Sequence, residues 1–126
     1  MSYTTVIHFG SDHLEWLKSI DFYDGELDIL ENRLKEIVSK NNGAEAMAGV
    51  EHFQNQFIIQ RNNIDELRHS INEHAVKVSA DAKKHAGKME AGFVGEHEQL
   101  KDGVKTFEKI VNGLRHEFNV FLAKWM

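Results

Sequence analysis

Apolar residues recur along three stretches of the chain at alternating intervals of three and four, with polar residues between them. The first seam reads Trp16, Ile20, Tyr23, Leu27, Leu30, Leu34 and Ile37. The second reads Ala46, Val50, Phe53, Phe57, Gln60, Ile64, Leu67 and Ile71, with His74 and Val78 keeping the step. The third reads Leu100, Val104, Phe107, Val111, Leu114, Phe118, Phe121 and Trp125. A mean step of 3.5 residues keeps every member on one helix face and winds such helices round one another. The pattern predicts an all-α fold: an antiparallel up-down-up bundle of three long heptad-patterned helices, a single domain over residues 11–126.

Local signals bound the three helices at about 12–41, 44–80 and 96–124. Asp12 with Glu15 three residues later reads as a capping box. Asn41-Asn42-Gly43 suits the left-handed turn that ends a helix, and so short a connection makes the next helix an antiparallel neighbour. Residues 1–10 read as an N-terminal arm, because one short β-branched run has no partner strand. Residues 81–95, with Gly87, Gly92 and Gly95, read as the connector. Gly103 and Gly113 lie within the third helix and each costs about 1 kcal/mol relative to alanine.

A hairpin turning at Asn42 sets Ile37 against Ala46, Leu34 against Val50, Leu27 against Phe57 and Trp16 against Leu67. Apolar meets apolar in nearly every layer. The exception is Tyr23 opposite Gln60, where the tyrosine hydroxyl is expected to meet the buried amide and fix the register. A compact connector returns the third helix parallel to the first, with Leu100 beside Trp16 and Phe107 beside Tyr23. A crossover that reverses the third helix is the alternative, since an extended connector could reach roughly 55 Å.

The seams run on into histidine. His13 is one step before Trp16, His74 one step after Ile71, and His97 one step before Leu100, so the up-down-up arrangement gathers all three at one end. Neutral imidazoles with a carboxylate are the ligand set of zinc, copper or iron. Glu66 and His69 add a Glu-x-x-His pattern on a nearby turn, of the kind di-iron bundles use twice. Here it occurs once, and both residues sit beside the seam. The candidate metal ligands are His13, His74, His97, His69 and Glu66, for a divalent metal; without a metal, no cofactor is implied.

Composition narrows the rest. The 126 residues include no proline and no cysteine, which suits long helices and removes disulfide and thiolate chemistry. No serine has a Gly-x-Ser-x-Gly setting, and no phosphate-binding glycine loop is present. The net charge is −5 with neutral histidines, and there is no Lys/Arg run, which argues against nucleic-acid binding. Protonating all eight histidines would bring the charge to +3. No apolar run is long enough for a membrane span, and residues 1–10 lack the basic and apolar regions of a signal peptide, so a cytoplasmic location is expected.

Phe22, Ile29 and Ile59 fall outside the seams. Phe22 and Ile29 are seven residues apart and share a face, which marks a surface for a homodimer or a protein partner. The first functional reading is therefore a non-enzymatic bundle acting through protein contact or self-association, as scaffold, adaptor or structural protein. The alternative is a metal-binding bundle with its histidine-rich site at one end. An enzyme with an unrecognised site ranks third.

Overall fold

The computed structural model describes residues 3–84 and 91–126. They form three helices, α1 (Tyr3–Lys40), α2 (Ala44–Lys84) and α3 (Ala91–Trp125), in an up-down-up three-helix bundle. Among the described residues there is no strand. The seams form the core: the buried positions of all three helices follow the steps of three and four.

The helices are longer than their local signals suggest. α1 runs through the stretch read as an arm, back to Tyr3, and Asp12 lies inside the helix instead of capping it. The reason is tertiary. Phe9 extends the first seam by one step and packs in a small core with Val78, against which Phe93 and Val94 also lie. Docking of an apolar face outweighs the weak helix propensity of a β-branched run. The same cluster draws the start of α3 back to Ala91. Residues 85–90, the middle of the expected connector, lie outside the described residues.

Contacts divide the chain into two compact units, Met1–Asp21 with Asp65–Thr106 and Phe22–Ile64 with Phe107–Met126. In the second unit Phe53 and Phe57 pack edge-on against Phe118, and Phe53 also meets Phe121. Gly49 allows that packing, since a Cβ there would overlap the Phe121 ring. Arg61 of α2 is ion-paired with Asp24, Asp28 and Glu31 of α1. The hydrogen bonds that it donates to Glu31 and Asp28 raise its pKa still further.

That cluster sets the register of α1 and α2. It centres residue 61 near residue 28, about one seam step away from the pairing a turn at Asn42 implies. Tyr23 and Gln60 accordingly do not form a rung. The Tyr23 hydroxyl accepts a 3.0 Å hydrogen bond from Asn112 of α3, and the buried Gln60 Oε1 accepts one of 3.1 Å from Asn63 on its own helix. At the hairpin end Asn41 ties α1 to α3 instead: its Nδ2 donates to the carbonyls of Ile37 and Trp125. The α1/α3 register is the expected one, with Tyr23 edge-on to Phe107 at 5.8 Å.

In the first unit Trp16, Ile20, Ile71 and Val104 are buried, and Arg68 of α2 pairs with Asp21 of α1 at 2.8 Å. Among the described residues no helix is long and apolar enough to cross a membrane.

Candidate metal centre

One layer of the first unit's core is made of histidine alone. α1 contributes His13, α2 His74 and α3 His97, each at a seam position that other layers fill with Leu, Ile or Phe. All three are buried, at 5%, 3% and 2% exposure. One nitrogen from each ring lies within 4.8 Å of the other two. Imidazoles are seldom buried in such numbers without hydrogen-bond partners, so each ring's bonding can be followed atom by atom.

His74 Nε2 is 2.9 Å from the Phe93 carbonyl, which can only accept, so Nε2 carries the proton. His74 Nδ1 then presents a lone pair, and His13 Nε2 donates to it across 2.9 Å. His97 Nε2 is 2.8 Å from Asp12 Oδ2, a carboxylate that likewise accepts. His97 Nδ1 is left buried with no hydrogen-bond partner. Leaving such an atom unsatisfied costs about 1–3 kcal/mol.

The electrostatics favour uncharged rings at His13 and His97. Burial pushes the pKa of His13 down to about 4, and the nearby His74 and His97 push the same way, against a smaller opposing pull from Asp12. Burial also lowers that of His97, although its bond to Asp12 works in the other direction. Neutral imidazole is the form that binds metal.

Rings enclose the layer. Phe9 stacks face to face on His97 with centroids 3.6 Å apart, and Trp16 lies 4.6 Å from the same ring. On the outer side of His74 is a cleft of about 290 Å³ lined by Ser70, Glu73, Lys77, Glu96 and Leu100. The Glu96 carboxylate stands 4.0 Å from His74 Nε2.

This donor set fits a first-row transition ion. Zinc–imidazole bonds of about 2.0–2.1 Å in a tetrahedron put ligand nitrogens about 3.3 Å apart. The 2.9 Å and 4.8 Å figures bracket that value, so side-chain adjustment would close the site. Three nitrogen donors without thiolate suit zinc, copper or nickel better than calcium or magnesium.

The other two candidate ligands lie elsewhere. His69 is 79% exposed and 3.2 Å from the Glu73 carboxylate, and Glu66 is exposed. Positions 66 and 69 flank the seam residue Leu67, so the helix turns both outward. Asp12 is the residue that sequence reasoning assigned to another task. Its signal was present in the spacing: it precedes His13 on the flank of the seam that faces α3. Phe22 and Ile29 are each 55% exposed and Ile59 47%. Comparison of the chain with protein families, curated proteins and solved structures finds no match.

Proposed function

We propose that this protein is a metal-binding helical bundle that holds one divalent first-row transition ion, zinc foremost, between His13, His74 and His97. The observation that carries this reading is the buried His97 Nδ1, a lone pair with no partner inside a layer of three mutually close imidazoles. A cation would satisfy that atom and replace the hydrogen bond between His13 and His74. The enclosure by Phe9 and Trp16 favours a binding or structural role over turnover, because bound ion and solvent would be kept apart. A cytoplasmic location belongs to the same proposal and rests on the cysteine-free composition, which suits a reducing compartment.

The test uses untagged protein stripped with a chelator and then titrated with zinc. The expected result is one ion per chain, with His13→Ala and His74→Ala each abolishing binding while His69→Ala leaves it intact. Zinc binding that survives both core substitutions, or is lost with His69→Ala, overturns the reading.

A second reading, contact with another protein or with a second copy, is favoured by the exposure of Phe22 and Ile29 on one face of α1. Its test is the mass in solution. A dimer that Phe22→Glu dissociates supports it, and a monomer at all accessible concentrations contradicts it.

A further inference from the structure

The three histidines differ in which ring nitrogen is free, and the difference has a cause outside the layer. His97 has its Nε2 held by the Asp12 carboxylate and its Nδ1 unpartnered. His74 has its Nε2 held by the Phe93 carbonyl and its Nδ1 inside the layer, against His13. His13 alone turns its Nε2 inward.

We propose that Asp12 is a positioning residue of the metal centre: by accepting from His97 Nε2 it fixes the ligand set as His97 Nδ1, His74 Nδ1 and His13 Nε2. This rests on the metal-binding reading above and specifies how the site is built.

Valence decides which nitrogen faces the layer. A neutral imidazole has one N–H and one lone pair, and an acceptor that captures the N–H dictates where the lone pair lies. Asp12 is 29% exposed, and its carboxylate oxygen is a pure acceptor. Its 2.8 Å bond leaves His97 no choice of tautomer. Phe93 does the same for His74 through the main chain. That carbonyl is four residues before His97, so in the helix it also receives the His97 amide, and its two lone pairs serve both histidines. His13 lacks a fixed acceptor of this kind among the contacts described. It is the ring that must exchange its proton from Nε2 to Nδ1 when an ion replaces the hydrogen bond to His74.

Asp12 also places a negative charge one ring away from the bound cation, which raises the basicity of the ligating nitrogen. Loss of such an outer partner typically weakens metal affinity 10–100-fold. The alternative role for Asp12 is an ion pair that merely joins α1 to α3. The two roles differ in what they do to the ligand atoms. A joining contact affects stability and leaves the choice of nitrogen and the affinity unchanged.

The decisive experiment loads nitrogen-15-labelled protein with cadmium-113 and reads one-bond couplings from the metal to the imidazole nitrogens. Zinc affinities of wild type and Asp12→Asn are measured beside it by chelator competition. The expected result is coupling to Nδ1 of His97 and His74 and to Nε2 of His13, with Asp12→Asn still binding one zinc ion 10–100-fold more weakly. Coupling to Nε2 of His97, or an Asp12→Asn affinity within threefold of wild type, overturns the role of Asp12 and leaves the metal-binding reading standing. Absence of any bound metal in the wild-type protein overturns both. The coupling pattern is read on wild type, so it decides the matter even if Asp12→Asn does not fold.

Discussion

His13 and His74, sixty-one residues apart in sequence, share a hydrogen bond of 2.9 Å between Nε2 and Nδ1 in the core of the bundle. The bond ties α1 to α2 through side chains that both occupy seam positions. It also engages two of the three nitrogens that a cation would use, the His74 Nδ1 lone pair as acceptor and the protonated His13 Nε2 as donor. The apo layer is therefore held together by the same atoms that would release one another on metal binding.

Acid should unfold the metal-free protein early. The pKa of His13 is about 4 in the folded state against 6.5 as the ordinary value, so between these limits the unfolded chain binds more protons. Stability is then full above about pH 6.5 and falls as the pH drops towards 4. The loss from this residue amounts to about 3 kcal/mol at about 1.4 kcal/mol per pKa unit. Urea titrations of the chelator-treated protein between pH 7.5 and 4 should show it. In His13→Leu most of that slope should vanish, and an unchanged slope would contradict the assignment.

Two helical glycines should respond oppositely to alanine. At Gly49 an added Cβ would strike the Phe121 ring, whereas at Gly113 it meets nothing within 4 Å. Gly113→Ala should stabilise by about 1 kcal/mol from helix propensity alone. Gly49→Ala should destabilise by roughly 1–3 kcal/mol through overpacking. Thermal unfolding of the two variants beside wild type checks both signs.

The seams made the fold legible because burial on a helix follows residue spacing, and Ile20, Leu27, Phe57 and Phe118 each lie where that spacing puts them. The three histidines were legible for the same reason: each continues a seam by one step. Features that depend on the partner helix were not. Asp12 carries a helix-start signal, yet its carboxylate serves a ring 85 residues away. Tyr23 and Gln60 looked like one rung because the turn was treated as the centre of the hairpin, whereas Arg61 of α2 pairs with Asp24, Asp28 and Glu31 of α1, about one seam step away from that register. Gly49 has no local signal at all, since its value lies in what Phe121 of another helix requires.

The separate satisfaction of Gln60 leads to a test of its cost. Its side chain is buried and bonds only within α2, through Asn63, among the contacts described. Gln60→Leu should gain transfer free energy without leaving an α1 or α3 group unpaired, raising stability by roughly 1–2 kcal/mol. A higher urea midpoint with an unchanged m-value is the expected result. A lower midpoint would mean that the amide holds a partner in another helix.

Anomalous diffraction at the zinc edge, from crystals of the zinc-loaded protein, tests the histidine centre most directly. The expected result is one strong peak in the core, about 2.0–2.1 Å from a ring nitrogen of each of His13, His74 and His97. No peak in that layer, or a peak only at surface groups such as His69 and Glu73, would contradict it.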